Sequence, residues 1–169
     1  PEVQIDNRGR ILFQCVLQFS TEDLCLINDD GTHLTPLTQV DSMGESNTRA
    51  SMNEHGQVVF QCDAASTGQG ICRVELETLE VDLLIKSSRN RGVFRPQIND
   101  SGQIAFSCKY SGFSMDLCAG DWTEGFVARL TSEEGRYFRY AKGLTDRGTI
   151  AHECLPQYSF PNLCAISID

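Results

Sequence analysis

Apolar and polar positions recur along the chain in four similar blocks. Each block contains a short strand, a polar turn that ends in glycine, and an apolar strand with aromatic or β-branched residues. The turn glycines are Gly9, Gly56, Gly102 and Gly148, which lie 46 or 47 residues apart. Because glycine adopts positive φ at little cost, a strand, a turn and a strand in this pattern predict a β-hairpin in each block.

The second half of each block carries a third strand, and in the first three blocks a fourth strand follows. The predicted fourth strands are His33–Thr38, Val81–Ile85 and Phe126–Thr131. The second strands are apolar on both faces, as in Ile11–Phe13 and Val58–Phe60. Sheets that are buried on both sides occur where blades pack radially. We therefore predict an all-β fold, a four-bladed β-propeller of four-stranded antiparallel meanders.

We predict a single propeller domain over residues 1–169, with repeats at 1–47, 48–93, 94–138 and 139–169. The sequence given stops directly after the third strand of the last repeat, so the last blade is expected to lack its outer strand. This third strand would then form an exposed edge, made of Asn162, Leu163, Cys164, Ala165, Ile166, Ser167 and Ile168.

An exposed and largely apolar edge is a template for pairing with another chain. The first functional hypothesis is therefore a non-enzymatic extracellular structural protein that self-assembles through this edge, as the subunit of a filament if the contact is head-to-tail and does not close. The alternative is that a leading strand lies outside this sequence. In that case the protein would be a monomeric or small-oligomer binding module that uses the central mouth of the propeller for a ligand or a protein partner.

Eight cysteines form four pairs with members ten positions apart: Cys15 and Cys25, Cys62 and Cys72, Cys108 and Cys118, Cys154 and Cys164. Eight cysteines allow 105 connectivities, but the repeated spacing favours one disulfide in each repeat. We expect the two cysteines of a pair to face each other directly across adjacent strands, which places Phe13 opposite Ile27 and Phe60 opposite Val74. Disulfides at this density predict an oxidising compartment, so that the protein is secreted or lies at the cell surface.

The net charge of −9 opposes binding to nucleic acid and to anionic lipid. No apolar run approaches the roughly 18 residues needed to cross a bilayer, so we expect no membrane span.

Short motifs in the repeats resemble those of the TolB-type, WD40-like β-propeller family. The clearest copy has the turn Asn99–Gly102, the apolar strand Ile104–Phe106 that ends in Phe, and the closing strand Arg129–Thr131. The resemblance covers essentially the whole chain and implies the propeller fold. Family members usually have six or more blades and no regular disulfides, whereas this chain has four repeats with a cysteine pair in each.

No sequence motif of an enzyme, cofactor site or metal site is present. Gly-x-Ser-x-Gly, a phosphate loop and a dinucleotide fingerprint are all absent, so we predict no catalytic residues, no enzyme activity and no cofactor. His33, His55 and His152 occupy unlike positions in their repeats, and the cysteines do not form Cys-x-x-Cys pairs, so no metal site is expected.

Other polar segments have an ordinary structural interpretation beside a functional one. Asn28–Gly31 fits a turn better than a calcium loop, because it lacks the alternating ligands and the final Glu. Asn99–Ser101 fits an N-glycosylation acceptor but lies in a tight turn. The basic loop Lys86–Arg91 is a candidate contact surface, and Arg136–Tyr140 is either another such surface or, preferably, an inner strand.

The carboxylates Glu75, Glu77, Glu80 and Asp82 cluster around one hairpin. Strand alternation favours a solvated outer edge over an acid/base pair at these positions.

Overall fold

The structure is a computed structural model, which describes residues 3–16, 22–28, 30–38, 49–64, 68–87, 92–109, 115–131, 141–154 and 162–168. This part of the chain contains β-strands and turns, and no helix. The described strands are β1 (Gln4–Ile5), β2 (Ile11–Val16), β3 (Glu22–Ile27), β4 (Leu34–Pro36), β5 (Ala50–Met52), β6 (Gln57–Ala64), β7 (Gly68–Glu75), β8 (Val81–Lys86), β9 (Val93–Ile98), β10 (Gln103–Cys108), β11 (Asp116–Asp121), β12 (Gly125–Arg129), β13 (Ala141–Leu144), β14 (Thr149–Cys154) and β15 (Asn162–Ser167).

The strands form four antiparallel sheets in sequence order, which confirms the predicted fold. Blade 1 has the order β1-β2-β3-β4, blade 2 has β5-β6-β7-β8, and blade 3 has β9-β10-β11-β12. Blade 4 contains β13-β14-β15 in the described residues. Neighbouring strands are joined in chain order, so every blade is a meander.

The turn glycines adopt the positive φ that the sequence predicts. At Gly56 φ is 79°, and the Gly56 amide donates a hydrogen bond to the Asn53 carbonyl oxygen, at 3.1 Å. Gly9, Gly102 and Gly148 repeat the conformation, with φ of 75°, 78° and 74°. An L-residue with a side chain rarely adopts this backbone, which explains the glycine in every repeat.

The expected register of the cysteine strands is wrong by two residues. Phe13 lies opposite Cys25 rather than Ile27, and Cys15 lies opposite Asp23. Blade 2 shows the same shift, since Phe60 lies opposite Cys72 rather than Val74. The two cysteines of a pair are therefore diagonal neighbours in the ladder and do not face each other directly.

Backbone hydrogen bonds at the turn glycines account for this register. The Leu76 amide donates to the Gly56 carbonyl oxygen at 3.0 Å, and the Ile168 amide donates to the Gly148 carbonyl oxygen at 2.8 Å. The ladder between the second and third strands therefore extends to the turn glycine. Cysteine spacing alone contains no information about this anchor.

Three of the predicted disulfides are present: Cys15–Cys25, Cys62–Cys72 and Cys108–Cys118. Their Cα–Cα distances are 5.8–5.9 Å, within the range of ordinary disulfides. The right-handed twist of a β-ribbon shortens one diagonal, which makes these bridges possible between residues that do not face each other. Cys164 is also disulfide-bonded, but the side chain of Cys154 lies outside the described residues, so their pairing stays a prediction.

The hydrophobic core lies between the blades rather than within one layer. Leu12 and Leu26 of blade 1 pack with Phe60 of blade 2, and Val59 of blade 2 packs with Phe106 of blade 3. A third cluster joins blade 3 to blade 4. Alternate residues of β6 therefore face opposite neighbours, which explains why the second strands are apolar on both faces.

Candidate functional site

The predicted assembly edge is strand β15, which pairs with β14 on one side. No fourth strand pairs with the other side of β15 among the described residues, whereas β4, β8 and β12 occupy that place in blades 1 to 3. Leu163, Ala165 and Ser167 are exposed, and Leu163 retains 73% of its accessible surface. Ile166 alternates with them and packs against the cluster between blades 3 and 4.

This alternation defines the free face of blade 4, which consists of Leu163, Ala165 and Ser167 and points away from blade 3. Two of the seven residues of the predicted edge, Ile166 and Ile168, instead pack toward blade 3. Cys164 is half-buried, and the side chain of Asn162 lies outside the described residues. The sequence-predicted site is therefore partly a core element and partly an exposed face.

Blade 1 has a free face at the opposite end of the row of blades. Val3 and Ile5 are 58% and 65% exposed, while the intervening Gln4 points toward blade 2. The Gln4 amide donates to the Ala50 carbonyl oxygen at 2.5 Å, and its carbonyl accepts a hydrogen bond from the Met52 amide at 2.7 Å. Val3 and Ile5 form the free face of blade 1.

The turns of blades 2, 3 and 4 are joined by the same hydrogen bond at both of their junctions. The Asn53 side-chain amide donates to the Asn99 carbonyl oxygen at 3.0 Å. One repeat later, the Asn99 side-chain amide donates to the Thr145 carbonyl oxygen at 2.9 Å. Each buried asparagine thus satisfies a backbone acceptor of the next blade, which fixes the relative position of the two blades.

A second set of contacts runs along the same turns and uses carboxylates. The backbone amide of Asn7 donates to Glu54 at 3.0 Å, that of Glu54 to Asp100 at 2.8 Å, and that of Asp100 to Asp146 at 3.2 Å. Acidic residues that resemble solvated turn residues in the sequence are therefore inter-blade contacts.

Two of the clustered carboxylates of the second repeat contact arginines, Glu77 across the junction with blade 1 and Asp82 within blade 2. Glu77 accepts a hydrogen bond from Arg8 at 2.6 Å, and Asp82 lies 3.7 Å from Arg73. Glu75 and Glu80 are exposed. The expected solvated edge is thus partly an ion-pair surface.

Arg10 and Asp6 form the most buried ion pair of the described residues, with Arg10 Nε 2.7 Å from Asp6 Oδ2. Burial raises the pKa of Asp6, but the hydrogen bonds and the positive charge of Arg10 outweigh burial, so the net pKa is lowered. The carboxylate is therefore held in its ionised form. It also accepts hydrogen bonds from the backbone amides of Arg8 and Arg10, which order the first turn.

The three histidines do not meet. His33 and His55 are exposed, whereas His152 is buried in β14 at the position that Phe60 and Phe106 occupy in their blades. Burial lowers the pKa of His152 below its ordinary value, although a hydrogen bond with the Ile150 backbone acts in the opposite direction. Within the described ranges, no group of three or more His, Cys, Asp and Glu side chains is arranged to hold a metal ion.

The two polar turn motifs have structural roles. The Gly31 amide donates to the Asn28 carbonyl oxygen at 2.9 Å, as expected for a turn. Asn99 is only 3% exposed, and its side-chain amide also donates to Gln103 at 2.8 Å. An N-glycan therefore has no accessible amide at Asn99 in the folded protein. Arg136–Tyr140 and residues 88–91 of the basic loop lie outside the described residues.

Sequence reasoning missed a polar cavity at the first strands of blades 2, 3 and 4. Arg49, Arg95, Gln97, Ala141 and Lys142 line this cavity, whose volume is about 80 Å³. Strands β5, β9 and β13 lie side by side, with β9 between the other two. The arginines at 49 and 95 stand seven residues before a turn glycine in successive repeats, which is the one sequence signal that could have indicated the cavity.

The structure resembles solved β-propellers at low sequence identity. TolB from Acinetobacter baumannii superposes with a TM-score of 0.70 at 18% identity, over 95% of this chain and 38% of that chain. A putative TolB from Agrobacterium tumefaciens gives 0.72 at 9% identity, over 95% of this chain and 58% of that one. The β-propeller domain of the trilobed protease from Pyrococcus furiosus gives 0.64 at 14% identity, over 95% and 50%.

No family model matches the sequence, and no curated protein matches it either. The chain spans between about two fifths and three fifths of the length of these three solved chains. Among the described residues, no helix has the length and apolar character needed to cross a bilayer. The three disulfides indicate an oxidising, extracellular compartment. The structural likenesses, together with the four meander sheets, show that the chain adopts the TolB-like β-propeller fold.

Proposed function

We propose that this chain is a secreted, non-enzymatic structural protein that self-assembles through blade 4, by packing of its free face against the free face of blade 1 in a second copy. The observation that carries the proposal is the exposure of apolar side chains on both end blades, at Leu163 and at Val3 and Ile5. Large apolar side chains exposed together are typical of interaction surfaces.

The interfaces inside the chain support a second copy as the partner of each free face. At every internal junction, one face of a blade packs against the opposite face of the following blade, as Leu12 does with Phe60 and Val59 with Phe106. Leu163 lies on the face of blade 4 that would meet a following blade, and Ile5 lies on the face of blade 1 that would meet a preceding one. A head-to-tail contact between two copies therefore continues an interface that the chain already makes three times.

Charge supports the same partner. The chain has a net charge of −9, which produces repulsion between copies at most parts of the surface. Residues 162–168, the assembly edge, contain no charged side chain, since the disulfide-bonded Cys164 has no thiol to ionise. The strand β15 therefore adds no charge of its own to this repulsion. Head-to-tail contacts of this kind form a filament when they do not close and a ring when they do.

The test uses two variants that each block one face. Leu163→Lys places a charge on blade 4, and Ile5→Lys places one on blade 1. We expect electron microscopy and light scattering of the unreduced protein to show filaments or closed oligomers, and each variant alone to remain monomeric. An equimolar mixture should form a 1:1 dimer, because the intact blade 1 of one variant binds the intact blade 4 of the other.

Leu79→Lys is the matched control, since Leu79 is 45% exposed in a turn of blade 2 and lies on neither free face. It should assemble like the unmodified chain. A monomeric unmodified chain at high concentration would overturn the proposal, as would a mixture of the two variants that stays monomeric. The former result is expected if other segments of a longer polypeptide cover the end blades.

The alternative function is a binding module that uses the central mouth of the propeller. The cavity between β5, β9 and β13 favours it, because cavities with a few convergent polar groups are typical of ligand sites. Assembly and binding use different surfaces, so a variant of either surface separates the two functions.

A further inference from the structure

The cavity between the first strands of blades 2, 3 and 4 concentrates positive charge. Arg49 directly precedes β5, Arg95 lies in β9 and Lys142 in β13, so three blades each contribute one cation. A volume of about 80 Å³ is several times what a single water molecule requires. The cavity is therefore large enough for a compact polyatomic group.

This charge is unusual in a chain whose net charge is −9. The described carboxylates that form salt bridges, namely Asp6, Glu77, Asp82 and Asp116, pair with arginines elsewhere. None of the salt bridges between described residues involves Arg49.

The backbone at Arg95 is strained in a way that points to a function. Its φ is 52°, in the left-handed region that residues with side chains rarely adopt. The ladder between β9 and β10 is interrupted by a bulge at this point, and a second bulge interrupts the ladder between β13 and β14 beside Lys142. Bulges redirect side chains, and strained residues of this kind cluster at binding sites.

Two of the three cationic residues therefore lie at the bulges. Arg95 and Pro96 lie between the paired residues Phe94 and Gln97, and Lys142 lies between the paired residues Ala141 and Gly143. A regular ladder would continue the strict alternation of side chains at these points. The irregular ladder allows both cations to line one cavity.

We propose that this cavity binds a compact oxyanion, the phosphate or carboxylate group of a small ligand. The paired N–H donors of a guanidinium group match the oxygens of a phosphate and of a carboxylate, and the Lys142 ammonium adds a point charge. One N–H of the Gln97 side-chain amide donates to the Pro96 carbonyl oxygen at 3.1 Å and its second N–H offers a further donor, and the small Ala141 leaves room for the anion. Binding of this kind is independent of the assembly proposed above.

The test is calorimetric titration of the full, unreduced chain with inorganic phosphate and, separately, with acetate, at an ionic strength held constant with sodium chloride. We expect saturable binding of one anion per chain. Arg49→Gln and Lys142→Gln should each weaken it about tenfold, since charge-assisted hydrogen bonds are the strong ones in such sites. Arg95→Asn removes the third charge with a residue that tolerates positive φ, and should have the same effect.

Lys86→Gln is the matched control, because it removes one positive charge from an exposed position on β8. It should change the affinity less than twofold. Saturable binding of phosphate alone would assign a phosphate ligand, binding of acetate alone would assign a carboxylate, and binding of both would assign the shared oxyanion chemistry. Failure of both anions to saturate would overturn the proposal, as would equal weakening by Lys86→Gln and Arg49→Gln. None of these results affects the assembly test, which measures the oligomeric state of variants at Leu163 and Ile5.

Discussion

The guanidinium group of Arg73 lies over the indole ring of Trp122, 5.4 Å from the ring centroid, and donates a hydrogen bond to the Trp122 carbonyl oxygen. Arg73 belongs to β7 of blade 2, and Trp122 belongs to the turn after β11 of blade 3. One side chain thus combines a cation–π contact with a charge-assisted hydrogen bond across a blade boundary.

Replacing Arg73 should measurably weaken the junction of blades 2 and 3. Arg73→Gln removes both contacts, and we expect a loss of about 1–3 kcal/mol in the free energy of unfolding. Trp122 is the single tryptophan of the chain, so its fluorescence during urea unfolding reports on this junction directly. Arg8→Gln is the control, because its pair with Glu77 is exposed and should contribute at most about 1 kcal/mol. Equal losses in the two variants would contradict this interpretation.

Two glycines with positive φ separate the cost of backbone conformation from that of close approach. A Cβ atom at Gly31 would meet nothing within 4 Å, so Gly31→Ala should cost about 1–2 kcal/mol for the left-handed conformation alone. A Cβ atom at Gly125 would lie 2.7 Å from the Leu84 carbonyl oxygen of blade 2. Gly125→Ala should therefore cost about 1–3 kcal/mol more, as measured by denaturant unfolding. A difference near zero would mean that the two blades separate easily at this point.

His152 should make stability depend on pH near neutrality. Burial lowers its pKa in the folded state, while the unfolded chain binds a proton near the ordinary value of about 6.5. The unfolded state then binds more protons as the pH falls below about 6.5, so the free energy of unfolding should decrease from pH 7 to pH 5.

His152→Phe restores the residue type found at the same position in blades 2 and 3, Phe60 and Phe106. Urea unfolding at pH 5, 6 and 7 should show a flatter pH dependence for this variant. The exposed His33 and His55 are unchanged and serve as an internal control. An unaltered pH profile would show that His152 does not cause the dependence.

The disulfides should contribute substantially to stability. Cys62 and Cys72 are both buried, and their bridge links two residues that are ten positions apart in the sequence. The double variant Cys62→Ala with Cys72→Ala should lose about 2–3 kcal/mol in the free energy of unfolding. A loss below about 1 kcal/mol would mean that the unfolded chain is already constrained in this region.

Peptide mapping without reduction tests the fourth pair. Cys164 is disulfide-bonded, and the spacing predicts that its partner is Cys154. Mass spectrometry should recover a linked peptide that contains these two residues, together with the three bridges already seen. A link from Cys164 to a cysteine of another copy would instead identify a covalent assembly contact.

The repeat carries most of the information about the fold, because every blade needs the same glycine turn and the same two-faced strand. Periodicity therefore predicted the sheets, their order and three of the disulfides. The register of the cysteine strands was wrong, because the backbone bond from Leu76 to Gly56 sets it and has no side-chain signature.

The contacts of individual side chains across blades were also out of reach of the sequence. Arg73 and Trp122 are 49 residues apart, and the cations that line the cavity come from three blades, two of them at bulges in the ladders of β9 and β13. Bulges and inter-blade distances depend on tertiary packing, which a pattern of hydrophobic residues does not specify.

The bond from Asn53 to Asn99 and the bond from Asn99 to Thr145 use the same donor and acceptor positions in successive repeats. An internal duplication of one repeat unit would therefore carry both halves of a blade junction with it, the donor for the next blade and the acceptor for the previous one. Such a gene could gain or lose whole blades by recombination between repeats without the need to evolve a new interface each time. Only the two inner repeats carry the asparagine, since Asp6 and Thr145 take its place in the outer two, so the unit that could be duplicated in this way is an inner one.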